Sequence, residues 1–267
     1  MNFERPQVMG ILNVTPDSFS DGGRYTNISS AVEKAMNMEA AGASIIDIGG
    51  ESTRPGSQPI SLEEELVRVL PVIEEIRRHS NVAISIDTSK AEVMEAAVKS
   101  GANMVNDVWA LRQPNALNMV SSLGVPVCLM HMQANPETMQ NDPNYGHVVD
   151  EVKQFFNQRI NACVKAGIGI DNIIIDPGFG FGKSLENNLS LLKNLDQFET
   201  TGCPILVGLS RKSMLGQILN KKVDERTEAS VATSLLAVTK GASIVRVHDV
   251  AETVDALTIY NALQDVG

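Results

Sequence analysis

Eight short apolar runs, each followed by a stretch of helical pattern, limit more than any other feature what this chain can fold into. Parallel strands are joined only by a long crossover, so strands that alternate with helices build βα units and a parallel sheet. The runs place strands at Gln7 to Val14, Ser44 to Gly49, Val82 to Thr88, Met104 to Val108, Val125 to Met130, Ile173 to Asp176, Ile205 to Ser210 and Ser243 to His248. Eight units predict closure into an α/β (β/α)₈ TIM barrel. Such barrels use about 250 residues as one unit, and the 267 residues here predict a single domain, 1–267.

Helices are expected between the runs, among them Ser29 to Ala41, Leu62 to Arg78, Ala91 to Ser100, Gly146 to Ala166 and Glu228 to Lys240. Several helical stretches stop at a glycine, Gly42, Gly101, Gly124 or Gly241, just before the next strand. Glycine enters the left-handed region cheaply and so ends helices. Two connections are rich in turn residues, Thr15 to Asn27 and Glu51 to Ser61. Such connections are more often functional or mobile than accidental. Both follow strands, and both are expected to act as flexible lids at the barrel's C-terminal face.

Nearly every apolar run ends in a polar residue. In chain order these are Asn13, Asp47, Asp87, Asn106 with Asp107, His131, Asp176, Ser210 to Ser213, and Arg246 with His248. In a TIM barrel those ends converge on one mouth. One strand-end carboxylate often does no more than bond backbone amides; eight polar ends together point to a site. Residues two apart on a strand share a face, so Ala83, Ser85 and Asp87 point inward while Ile84 and Ile86 meet the helices, and Arg246 and His248 share a face. A mouth holding carboxylates, amides and cations suits a flat heterocycle with donors and acceptors on its edge. A pteridine fits, as does a purine or another amidine-bearing ring.

The charge balance of 22 basic to 32 acidic residues gives −10 and disfavours nucleic acid or anionic membrane as partner. Arg54, Arg211, Lys212 and Arg246 are scattered in sequence, so only the fold can gather them, and a small anionic substrate is expected. Cys128, Cys163 and Cys203 form no CxxC pair and read as small core or helix-face residues, not a disulfide or zinc framework. Residues Met1 to Pro6 lack a signal peptide's apolar stretch, and no run approaches the roughly 18 apolar residues of a membrane span. The reading is cytoplasmic.

Seven segments carry a resemblance: Asn13 to Gly23, Gly49 to Gly56 (GGESTRPG), Asp87 to Lys90 (DTSK), Asn106 to Val108, Asp176 to Lys183 (DPGFGFGK), Gly208 to Ser213 (GLSRKS) and Arg246 to Val250. In this order and spacing they resemble the dihydropteroate synthase family in its monofunctional bacterial form, over essentially the whole chain. The resemblance implies a (β/α)₈ barrel that joins 6-hydroxymethyl-7,8-dihydropterin pyrophosphate to p-aminobenzoate with Mg²⁺, as a homodimer through outer helices, with sulfonamides competing for the aminobenzoate pocket. It implies Asp87, Asn106, Asp176, Lys212 and Arg246 around the pterin. Asn13, Arg54, Arg246 and His248 are implied at the pyrophosphate, with Asn13 also a magnesium ligand; these four and Lys212 form the implied catalytic set. Thr53, Pro55, Phe181, Lys212 and Ser213 are implied around p-aminobenzoate, and Asp17 and Phe19 in the first mobile loop. Ser57 departs from the pattern, which often has an apolar or aromatic residue there.

General barrel behaviour would place phosphate after strands seven and eight, whereas the resemblance places pyrophosphate at strands one, two and eight. Two other readings remain at this point. A barrel transferring methyl from methyltetrahydrofolate to a corrinoid protein would use Asp87, Asn106 and Asp176 equally well, but has no evident use for Asn13 to Gly23, Glu51 to Gly56 or Ser210 to Ser213. A silent pterin binder would not need Asn13, Arg54, Lys212, Arg246 and His248. Outside the site, His131 reads as either a structural histidine or a ligand, His79 and His147 as solvated, and Trp109 as packing. Asp47 and Glu51 read as supports of the second loop, and Lys183 as a solvated lysine.

Overall fold

The computed structural model describes residues 4–15, 24–52, 57–133 and 144–266. Their order is β1 (Gln7–Asn13), α1 (Arg24–Ala40), β2 (Ile45–Gly49), α2 (Leu62–His79), β3 (Ala83–Asp87), α3 (Ala91–Lys99), β4 (Met104–Asp107), α4 (Ala116–Leu123), β5 (Val127–Met130) and α5 (Val148–Lys165). There follow β6 (Ile173–Asp176), α6 (Leu185–Lys193), β7 (Ile205–Val207), α7 (Ser213–Leu219), α8 (Thr227–Val238), β8 (Ala242–Val247) and α9 (Val250–Gln264). The strands form a closed parallel barrel in sequence order, β8 pairing back onto β1.

Two strands are shorter than the apolar runs that announce them. β5 starts at Val127 rather than Val125, since Pro126 has no N–H for the ladder, although its carbonyl still accepts from Val105 N at 2.9 Å. β7 stops at Val207 rather than Ser210, so Gly208 to Ser210 leave the sheet and lead into Arg211, whose φ is +58°. α1 begins at Arg24, ahead of the expected Ser29, and shortens the first turn-rich connection. Gly124 at the end of α4 has φ +67°, the left-handed cap expected of it. α2 is capped by Ser61, whose hydroxyl accepts from Glu64 N at 3.1 Å, with three glutamates in the first turn and Arg77, Arg78 and His79 in the last, both favourable to the helix dipole.

The two-residue period of the strands explains how the barrel is filled. Met9, Ile45, Ala83, Met104, Cys128, Ile174, Leu206 and Ile244, one from each strand, pack together as an apolar plug. The alternate residues, including Ile46, Ile48, Ile84, Ile86, Ile173 and Val245, join the larger core under the helices. Each buried aliphatic side chain there contributes on the order of 1.5–3 kcal/mol. Two residues beyond the plug the same inward face carries Asp47, Ser85, Asn106, Asp176 and Arg246, and two further it reaches Asn13, Asp87 and His248. The polar site therefore stands directly on an apolar floor.

Candidate active site

Arg246 organises the polar layer. Its Nε donates to Asp47 Oδ2 at 2.6 Å and its Nη2 to Asp87 Oδ2 at 2.8 Å, while Asn106 Nδ2 donates to the same Asp47 oxygen at 3.2 Å. Burial disfavours the guanidinium's charge, but the two carboxylates more than offset this and hold its pKa above the usual value. Burial pushes the Asp87 carboxyl up to about 7, against the pull of Arg246 and with help from Asp47. Asp47 was expected to brace the second loop; instead it is fully buried and fixes Arg246 and Asn106. Glu51 does meet the expectation: its Oε2 accepts from Lys90 Nζ at 2.5 Å and from Ile60 N at 3.4 Å.

Across the mouth, Asp176 closes β6 and accepts from Gly178 N at 2.8 Å. Burial raises its pKa, while that bond and Lys212 lower it. Lys212 Nζ stands 4.2 Å from the centroid of the Phe181 ring, and no described residue hydrogen-bonds it. Burial brings its pKa down to about 8 in spite of Asp176. Asp87 Oδ1, Asn106 Oδ1 and Asp176 Oδ2 likewise receive no bond from a described residue. Acceptors and a cation thus face the opening without satisfying one another, as a site for a donor- and acceptor-bearing ring requires.

At β8 the ring of His248 is set by Ser210. The hydroxyl accepts from His248 N at 3.2 Å and lies 2.9 Å from Nδ1. With Nδ1 accepting from that hydroxyl, the neutral ring carries its proton on Nε2 and offers it outward as a donor. Burial, then Arg246 and Arg211, hold the His248 pKa down to about 4, so the neutral form prevails at pH 7. Arg211 itself is committed to Asp249, at 2.5 Å. Asn13 ends β1 opposite Gly49; a Cβ on Gly49 would lie 3.8 Å from Asn13 Oδ1 and 3.7 Å from Asp87 Oδ2, so this glycine keeps the space between them clear.

Val108, Met130 and Met132, with Trp109 and Phe181, form an apolar shelf along the rim. Trp109 packs, as expected. A cavity of about 560 Å³ opens beside the site, lined by Glu51, Glu65, Asp87, Lys90, Val108 and Trp109 among others. It meets the polar set only at Asp87, so the uncommitted donors and acceptors locate the site better than this hollow does.

A family model described as "Pterin binding enzyme" matches residues 9–248. The dihydropteroate synthase of Escherichia coli (strain K12) is 52% identical over 262 residues, covering 98% of this chain and 93% of the relative. The chain belongs to the dihydropteroate synthase family. Solved structures agree with this membership. Yersinia pestis dihydropteroate synthase, in a sulfonamide drug complex, superimposes with a TM-score of 0.95 at 48% identity, covering 100% of this chain and 97% of that one. The Xanthomonas albilineans enzyme with 4-aminobenzoic acid gives 0.95 at 50% identity, covering 100% and 96%.

The dihydropteroate synthase fold brings Asn13, Asp87, Asn106, Asp176, Lys212, Arg246 and His248 to one mouth, with Phe181 beside Lys212 and Ser213 exposed at the start of α7. Asp17, Phe19, Thr53, Arg54 and Pro55, and with them parts of the two expected lids, lie outside the described residues. Ser57 Oγ donates to Ser52 O at 2.5 Å. Lys183 corrects the sequence reading: it is 3% exposed rather than solvated. Of the two readings of His131 the structural one describes its contacts, as the buried partner of Lys183 through Nδ1 at 3.0 Å. His79 is exposed beside Glu75 and His147 exposed ahead of α5, as expected. All three cysteines are free and buried, and no helix of the described residues is long and apolar enough to cross a membrane.

Proposed function

We propose that this enzyme condenses 6-hydroxymethyl-7,8-dihydropterin pyrophosphate with p-aminobenzoate, giving 7,8-dihydropteroate and pyrophosphate in folate synthesis. The observation that carries the assignment of roles is the Lys212 ammonium over the Phe181 ring, electrostatically coupled to Asp176, without a hydrogen-bond partner among the described residues. On this reading Asp176 accepts from the pterin's guanidine-like edge, Asn106 and Asp87 complete that edge, and Lys212 donates to the ring carbonyl. Arg246 lies against the ring. Its Nη1, which no described residue engages, is left for pyrophosphate with Arg54, His248 Nε2–H and Asn13. Thr53, Pro55, Phe181, Lys212 and Ser213 surround p-aminobenzoate.

The leaving pyrophosphate is stable as an anion, so the residues act by neutralising charge as the C–O bond breaks. The electron-rich dihydropterin stabilises positive charge on its exocyclic carbon, which favours a dissociative path. The neutral arylamine then attacks that carbon and needs no strong base. Phe181 and Pro55 exclude water, which would otherwise capture the cation.

Among the described residues no group of three His, Cys, Asp or Glu is placed to cage a metal. Mg²⁺ typically keeps several waters and binds through one or two protein oxygens plus substrate phosphates. The single amide oxygen of Asn13, beside the space Gly49 leaves open, fits an ion that arrives with pyrophosphate. Bound there, Mg²⁺ would supply charge neutralisation on the leaving group.

Sulfonamides are expected to compete with p-aminobenzoate, a reading supported by the Yersinia complex. A homodimer through the outer helices is supported by Leu236, Ile259 and Leu263, all exposed on α8 and α9. Action in the cytoplasm follows from the same reading. The deciding experiment supplies dihydropterin pyrophosphate and Mg²⁺ with and without p-aminobenzoate and follows both pyrophosphate and dihydropteroate. Amine-dependent product is expected; tight pterin binding without product would favour the silent-binder reading.

A further inference from the structure

Lys183 is a buried lysine that the reaction scheme does not use; burial brings its pKa down to about 7 in spite of Asp176. Its Nζ contacts Gly178 O at 2.9 Å, Phe181 O and His131 Nδ1 at 3.0 Å, and His131 O at 3.4 Å. A buried charge is tolerated only when hydrogen-bonded; three of these contacts are carbonyl acceptors, and His131 Nδ1 is a fourth in the Nε2–H tautomer. For Nδ1 to accept, the His131 ring must be neutral; burial and the adjacent Lys183 charge hold its pKa down to about 2. That ring is fixed in turn, edge-on to Phe155 at 4.9 Å.

Two of these groups, Gly178 O and Phe181 O, belong to the loop that carries Phe181, and the other two to His131 at the end of β5. Gly178 has φ +70°, and a Cβ there would fall 1.9 Å from His131 O, so loop and β5 end are pressed together. Phe181 N donates to Gly178 O at 3.1 Å, and Asn188 receives Gly180 N at 2.8 Å while donating to Lys183 O at 3.2 Å. Among the described residues Lys183 is thus the one side chain that bonds Gly178, Phe181 and His131 at once. It does not line the 270 Å³ hollow on the His131 side, which argues against a reagent role.

We propose that Lys183 is a positioning residue for the known reaction: by gathering the carbonyls of Gly178, Phe181 and His131 onto the His131 ring, it holds Phe181 where the arylamine is received. This rests on the placement of Phe181 in the p-aminobenzoate pocket. Asp176 is anchored separately, as the last residue of β6.

The test compares Lys183→Met, His131→Leu, His131→Asn and Phe181→Ala, measuring KM for p-aminobenzoate, kcat, dihydropterin pyrophosphate affinity and melting temperature. Asn places an amide oxygen near the position of Nδ1 and so keeps an acceptor that Leu lacks. Lys183→Met and His131→Leu are expected to raise the p-aminobenzoate KM at least about tenfold, with pterin affinity within about threefold and His131→Asn close to wild type. An unchanged KM in folded Lys183→Met, or equal loss of both substrates, would overturn the inference. If Lys183→Met does not fold, the difference between His131→Leu and His131→Asn decides it, and equal values for the two overturn it. If Phe181→Ala leaves KM unchanged, the pocket assignment has failed; if it raises KM while the Lys183 and His131 variants do not, only the positioning role has.

Discussion

Arg246 on β8 and Asp47 on β2 meet inside the barrel at 2.6 Å, with β1 between their strands. Asp47 is fully buried and its Oδ1 has no bond among the described residues, so its charge relies on that one guanidinium and the Asn106 amide. Removing one partner of a buried ion pair typically costs about 3–5 kcal/mol, because the other charge is stranded. Arg246→Met is expected to show a loss of that size in denaturant unfolding. Arg246→Met combined with Asp47→Asn and Asp87→Asn should recover most of it, since neither carboxylate is then left without its guanidinium. A triple variant no more stable than the single one would show that Arg246 is needed for packing and not for its charge.

Asp176 offers a different test, because the proposed reading sets it against the pterin. Its Oδ1 is taken by Gly178 N, and Oδ2 is left for a ligand. Hydrogen bonds to a charged group are worth roughly 1.5–3 kcal/mol each, so Asp176→Ala is expected to reduce pterin affinity beyond calorimetric detection. Asp176→Asn, which keeps the shape but turns an acceptor into a mixed group, should lose at least about tenfold. Pterin affinity unchanged in the Ala variant would remove Asp176 from the site.

The sequence announced the strand ends and hid what they do to each other. Asp87, Asn106, Asp176 and Arg246 could be placed at the barrel's mouth because each lies at the end of an apolar run, and Asp87 on the inward face because strand periodicity is local and short. That Arg246 spends two of its nitrogens on Asp47 and Asp87 follows only from closure, which brings together residues 199 and 159 positions apart. Lys183 was misread for a similar reason. Its glycine-rich neighbours resemble an exposed turn, and only the approach of β5, set by Gly178, supplies the acceptors that let an ammonium stay buried. The end of β7 was overdrawn because Leu209 continues the apolar run, while the backbone has already turned away to deliver Ser210 to His248.

His248 links that turn to stability through pH. Its pKa is held down to about 4 in the folded chain against an ordinary 6.5, first by burial and then by Arg246 and Arg211. Above pH 6.5 neither state is protonated at this residue, and below about 4 both are. Between these limits only the unfolded chain takes up the proton, so the contribution of His248 is fully present above pH 6.5 and is lost as pH falls towards about 4. Asp87 and Asp107 act in the opposite sense: burial raises them to about 7 and about 6, so they take up protons on folding as the medium is acidified. The total pH curve therefore mixes signs, and the isolating measurement is a difference. His248→Gln cannot titrate there. The melting temperature of the wild type is expected to fall relative to that of His248→Gln between pH 7 and pH 4.5, and to run parallel to it between pH 7 and pH 8. Parallel curves through the acid range would mean that the ring titrates alike in the folded and unfolded chain, and that neither burial nor Arg246 disfavours its charged form.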